Sequence, residues 1–200
     1  WAAPPAYPPV SVPVDAARVS AHGYYVPGLA GAASKANQGF MSNAGFVVTP
    51  EGVVVIDSLG SPSLAEAMLA RIREVTAAPI RYAIVTHYHA DHYYGSQVFK
   101  DAGAEIWAHE AGRGVLGSEA AQSRFAQRKD VLAPWIDDRL QRFVAPDHWL
   151  SGDTDFRLGG LTFQIRHVGP AHSPEDLVVF VAEDAVLYAG DLVFKGRVPF

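Results

Sequence analysis

Four groups able to bind a metal fall within six consecutive positions of this chain: His87, His89, Asp91 and His92. The residues just before them, Tyr82 to Val85, are apolar and read as a short buried strand. On extended backbone, residues two apart point the same way, so His87 and His89 can reach one ion together. Asp91 and His92 follow as the chain turns and can face a second point. Imidazole and carboxylate are ligands that Zn²⁺ accepts. Mn²⁺ or Fe²⁺ tolerates them as well.

The elements that must hold these groups can be read around them. Phe46–Thr49 and Val53–Ile56 are β-branched runs joined through Pro50-Glu51-Gly52, a hairpin signal. Asp57 follows the second run, either to orient a metal-bound histidine or to cap its loop. Ser61-Pro62 opens a helix whose apolar stripe is Leu64, Met68, Ile72 and Val75. Pro79 stops it. Strand, helix and histidine-bearing strand make a β-α-β unit. A helix is expected over Tyr93 to Ala102, ended by Gly103, then a strand over Glu105–Ala108. One further helix is expected near Ser118–Leu132. Beyond Thr154 the rhythm shortens to strands, with turns at Gly159-Gly160 and Glu183-Asp184. His172 and Asp191 each come just after such a strand, on loops of one edge. His109 and His148 have no ligand-spaced partners and read as ordinary histidines, His167 lies inside a strand and reads as structural, and Trp135 and Trp149 read as core, with the lining of a cleft as the alternative.

Composition narrows the class. Two hundred residues with 49% apolar content suit one domain with a sizeable core. A net charge of −5 speaks against nucleic acid as a partner. No stretch is long and apolar enough to predict a membrane span. The absence of cysteine removes disulfides and thiolate ligands. It agrees with an oxidising compartment, so a periplasmic or secreted location is expected, with the cytoplasm as the alternative. The proline-rich residues 1–20 read as a poorly packed leader, and residues 21–200 as the domain.

The His87–His92 stretch resembles the signature of the metallo-β-lactamase superfamily. Gly169-Pro170-Ala171-His172-Ser173-Pro174 is similar to its third-histidine loop, and Tyr188-Ala189-Gly190-Asp191 to its bridging-aspartate motif. The phrases Asn43–Thr49 and Gly52–Ser58 look most like general hydrolase branches, including the periplasmic group of sulfur-oxidation and quinoprotein gene clusters. The resemblance implies an αββα sandwich of α/β or α+β class. It implies two zinc sites: His87, His89 and His172 on one ion, Asp91 and His92 on the other, Asp191 bridging. Two ions so placed bring a shared water towards neutral acidity, and it attacks a polarised carbonyl. Asp91 orients the nucleophile or shuttles a proton. The expected reaction is hydrolysis of an acyl bond in a small molecule: thioester, lactone, lactam or ester. Asp at position 191, where zinc β-lactamases usually carry Cys or Ser, makes antibiotic hydrolysis an alternative only. An iron redox enzyme on the same scaffold is another, and a metal-bound binding module without chemistry a third. The family's final histidine has no counterpart among the nine residues after Asp191. The second site is therefore expected to be weak, and the sandwich to lack its last strand-helix segment, as in a truncated chain.

Overall fold

A computed structural model describes residues 7–195. Seven strands form the first sheet in chain order: β1 (Ala17–Arg18), β2 (Gly23–Val26), β3 (Ala44–Thr49), β4 (Gly52–Ile56), β5 (Ile80–Ile84), β6 (Glu105–His109) and β7 (His148–Leu150). Pairing is antiparallel from β1 to β4 and parallel from β4 to β7. The second sheet is antiparallel, in the order β11 (Val186–Tyr188), β10 (Leu177–Val181), β9 (Leu161–His167), β8 (Thr154–Leu158).

Strand β4 shows why the layers stack as they do. It is buried along its whole length, and its alternating side chains serve two cores. Val53 and Val55 pack with Leu64, Met68 and Ile72 of helix α1 (Pro62–Val75). Val54 and Ile56 pack with Phe163, Ile165 and Val179 of the second sheet. The first sheet is thus sandwiched between a helical layer and another sheet. Parallel β4 and β5 need a crossover, and α1 supplies it. Ser61 Oγ accepts from Leu64 N at 3.2 Å, the expected N-cap. Val75, expected on the buried stripe, is 41% exposed. It closes the last turn, and Thr76 already caps the helix in extended backbone.

The helix expected over Tyr93–Ala102 is two short ones, α2 (Ala90–Tyr93) and α3 (Ser96–Asp101). The break falls at Gly95, where a Cβ would lie 1.9 Å from the carbonyl oxygen of Ser58. Gly95 N donates to Leu59 O at 3.1 Å. Ser58 N and Oγ both donate to His92 O, at 2.9 and 3.0 Å. A continuous helix would forfeit this stitching between the two loops.

The leader departs from expectation too. Residues 1–6 lie outside the described part, but residues 7–14 pack on one side, leaving Pro9, Ser11 and Pro13 exposed. Val14 is buried, and Tyr7, Val10 and Val12 lean on the first core. Ser11 N donates to Gln38 Oε1 at 2.8 Å, and Trp135 Nε1 to Pro9 O at 3.1 Å. Prolines cannot join a ladder, yet their carbonyls still accept. Among the described residues, α4 (Glu119–Leu132) lies where a helix was expected and fully buries only Leu132.

Gly95→Ala is expected to destabilise the protein by about 2–3 kcal/mol, because the obstacle is backbone rather than a yielding side chain. Chemical denaturation checks this, and a loss under about 0.5 kcal/mol would show that the loop yields.

Candidate metal centre

Backbone bonds fix the histidine-bearing turn at the junction of the two sheets. Val85 N donates to Trp107 O and Leu177 N to Thr86 O, each at 2.9 Å. The chain then leaves β5 with His87 buried and His89 half-buried.

Asp57 organises the next layer. It is 3% exposed and sits at φ +63°, in the left-handed region. Its carboxylate accepts from Thr86 N at 2.8 Å, from Thr86 Oγ1 at 2.9 Å and from His92 Nδ1 at 2.7 Å. An ionised carboxylate only accepts, so His92 carries its proton on Nδ1. Thr86 spends its single proton on Asp57. Its oxygen, 3.0 Å from His87 Nδ1, therefore accepts from that ring. Both rings are held with Nε2 turned inward, the tautomer a metal ligand needs.

Two groupings result. The ring nitrogens of His87, His89 and His172 form one: His87 Nε2 lies 3.0 Å from His89 Nδ1, and His172 Nε2 2.8 Å from the same atom. His87, His92 and Asp191 form the other. Within each, the ligand atoms lie within 4.8 Å of one another. His92 Nε2 is buried without a hydrogen bond, 3.2 Å from Asp191 Oδ1 and 3.7 Å from Asp91 Oδ2. Asp191 Oδ2 is 3.7 Å from His172 Nε2, so its carboxylate faces both groupings. Inward lone pairs of this kind require a cation or a proton between them. These are two candidate metal-binding clusters, and their nitrogen and oxygen donors suit a divalent transition metal. Asp91, expected beside His92, lies there with Oδ2 3.7 Å from His92 Nε2, and His87 belongs to both groupings.

The loops that bring in the distant members are built for it. Asp176 accepts from Ser173 N at 2.6 Å and Ser173 Oγ at 2.8 Å, folding the turn that carries His172. Glu175 is buried and accepts from Tyr88 N at 2.9 Å, binding this turn to the one that holds His87 and His89. Gly190 adopts φ +53°, and a Cβ there would lie 2.9 Å from Thr86 Oγ1, so Asp191 is delivered close to the Asp57–Thr86 pair. Thr86, Glu175 and Asp176 escaped sequence reasoning. Only adjacency to His87 and His172 could have pointed to them. The remaining histidines stay apart. His148 pairs with Glu105 at 3.0 Å, and His109 stacks on His167 with centroids 3.7 Å apart.

Electrostatics divide the rings. Burial, then the neighbouring histidines, holds His87 far below the ordinary imidazole range. Burial, then Arg124 and His172, brings His89 down to about 4. His92 goes the other way. Burial is the largest effect and opposes its charge, but Asp57, Asp191 and Asp91 together outweigh it and raise its pKa. The metal-free protein thus keeps neutral imidazoles at the first cluster and a proton at the second.

Comparison with known proteins bears on the fold and the site together. Residues 37–200 match the profile of the family described as Metallo-beta-lactamase superfamily. The chain belongs to that superfamily. Its fold is the αβ/βα sandwich, built here from one mixed and one antiparallel sheet, and the two clusters just described are its candidate metal sites. Hydroxyacylglutathione hydrolase GloC of Haemophilus influenzae is 29% identical over 80% of this chain and 70% of its own length. Linear primary-alkylsulfatase from Pseudomonas sp. is 24% identical over 76% of this chain, which spans only 34% of that enzyme. A metallo-beta-lactamase from Pontibacter korlensis superposes with a TM-score of 0.70, at 20% identity, covering 92% of this chain and 74% of its own.

A pH dependence follows for protein stripped of metal. In the unfolded chain His87 and His89 titrate near 6.5, but in the folded state only well below it, His89 at about 4. Between those values the unfolded state binds more protons, so stability falls as pH falls from about 6.5 to 4. His92 contributes the opposite slope, stability lost as pH rises above 6.5. His89→Gln should reduce the acid-side slope by about one proton, read from denaturation curves at stepped pH. An unchanged slope would contradict the buried, neutral state assigned to His89.

Proposed function

We propose that this chain is a zinc-dependent hydrolase cleaving an acyl bond (thioester, lactone, lactam or ester) in a small molecule. The observation that carries the reading is the pair of clusters sharing His87, with Asp191 Oδ1 and Oδ2 turned one towards each. In this reading His87, His89 and His172 hold one ion, His92 and Asp191 the other, with Asp191 between. When bound, the metal pair supplies an acidified water and a Lewis acid for the carbonyl oxygen.

The chain's own groups do the rest. Asp57 holds His92 in one tautomer and, through Thr86, holds His87. Asp91 is buried, with Oδ2 on the His92 Nε2 side of the site. It is placed to complete the second site or to hold a proton at that oxygen during attack. Ser42 Oγ donates to Asp91 O at 2.5 Å and fixes its backbone. The resemblance to a hydroxyacylglutathione hydrolase supports acyl cleavage. An Asp at position 191 supports a substrate other than a β-lactam antibiotic. A net charge of −5 supports small molecules over nucleic acid. Among the described residues no helix is long and apolar enough to cross a membrane.

Metal titration of the stripped protein, followed at each step by assay on a panel of thioesters, lactones and β-lactams, tests the reading. One strong equivalent and one weaker one are expected, with activity following the second. Elemental analysis separates zinc from iron or manganese, which the donor set alone does not. Asp91→Asn should lower the rate by about 10²-fold or more and leave the strong equivalent in place. Full activity at one equivalent, unaltered in Asp91→Asn, would mean a mononuclear mechanism.

A further inference from the structure

Beside the metal clusters lies a cavity of about 260 Å³ whose walls are almost wholly apolar. Tyr93, Tyr94, Phe125 and Phe143 line it, with Tyr88 at the side towards the clusters. The rings meet edge to face: Tyr94 and Phe143 at 5.2 Å, Phe125 and Phe143 at 5.1 Å. Helix α4 roofs this space. Its sequence is polar and only Leu132 is fully buried, so the helix contributes little to the core. Its half-buried residues Ala121, Arg124 and Phe125 line the cavity instead.

Arg124 is the single charged residue of that lining. Its guanidinium stacks 5.0 Å above the Tyr88 ring, and among the described residues no carboxylate pairs with it. The Tyr88 ring in turn meets the His89 ring edge to face, with centroids 4.8 Å apart. Tyr88 lies between His87 and His89 in sequence. The cation therefore stands where the apolar cavity meets the metal clusters. A guanidinium presents a planar fork that matches a carboxylate. One cation balances one negative charge, which suits a carboxylate better than a phosphate dianion. The cavity exceeds the roughly 150 Å³ that holds a benzene ring.

We infer that this cavity seats an aryl or branched alkyl part of the substrate and that Arg124 pairs with a carboxylate on the same molecule. The assignment rests on the hydrolase reading only in placing the bond to be cleaved at the clusters. The substrate class is then an acyl compound carrying one apolar group and one carboxylate. Arg124 and the aromatic wall select it, while the clusters perform the cleavage.

Calorimetric binding to the full chain tests this, with zinc and after chelation, using 4-phenylbutyrate, 4-phenylbutan-1-ol and acetate as probes. Phenylbutyrate is expected to bind in both states and acetate only with zinc. Arg124→Gln should weaken phenylbutyrate by about tenfold and leave the alcohol within about twofold. Ala121→Trp, which fills the space, should abolish binding of both aromatic probes. The inference is overturned if Arg124→Gln leaves phenylbutyrate unchanged. It is also overturned if Ala121→Trp leaves both probes bound, or if phenylbutyrate binds only with zinc and no better than acetate. Failure to turn over acyl substrates, with this binding pattern intact, sinks the hydrolase reading and supports the cavity assignment.

Discussion

One buried carboxylate holds the centre together. Asp57 takes three hydrogen bonds, from Thr86 N, Thr86 Oγ1 and His92 Nδ1. It takes them at φ +63°, a backbone conformation that costs a non-glycine residue about 1–3 kcal/mol. The strain is tolerable because charge-assisted bonds to a buried carboxylate are strong. Removing any partner would leave an acceptor stranded in the interior. Asp57 ends β4, Thr86 follows β5, and His92 lies in α2. The same contacts that orient two rings also join two strands and a helix, so fold and site share their fastenings.

That sharing explains why the fold was so readable. β4 is apolar at every position because it serves two cores, and the histidines follow directly on β5, its parallel neighbour. The hairpins at Gly159-Gly160 and Glu183-Asp184 and the helix from Ser61 follow local rules, and local rules are what sequence displays. The break at Gly95 was illegible because its cause is Ser58 O, far away in the chain. The packing of residues 7–14 was illegible for the same reason. Their prolines signal no ladder, and their partners Gln38, Gln97 and Trp135 come from three other segments.

The site divides likewise. His87, His89, Asp91 and His92 announce themselves by spacing, and His172 and Asp191 by their motifs. The groups that aim them do not. Thr86 is an ordinary threonine until Asp57 folds against it, and Glu175 is an ordinary acid until Tyr88 N finds it. The sharing of His87 between the two clusters could not be read from order along the chain, because it depends on how closely Gly190, the residue before Asp191, approaches Thr86, the residue before His87. Arg124 and the cavity roofed by α4 were equally hidden, since that helix has no apolar stripe to mark a buried face.

The central claim is that the inward nitrogens and the Asp191 carboxylate are two adjacent metal sites. Anomalous diffraction at the zinc edge from crystals of zinc-loaded protein reads this directly. Two peaks are predicted, one between His87, His89 and His172 and one against His92 Nε2, with an Asp191 oxygen towards each and metal–nitrogen distances of about 2.0–2.1 Å. A single peak that leaves His92 Nε2 without metal, or peaks away from these side chains, would contradict it.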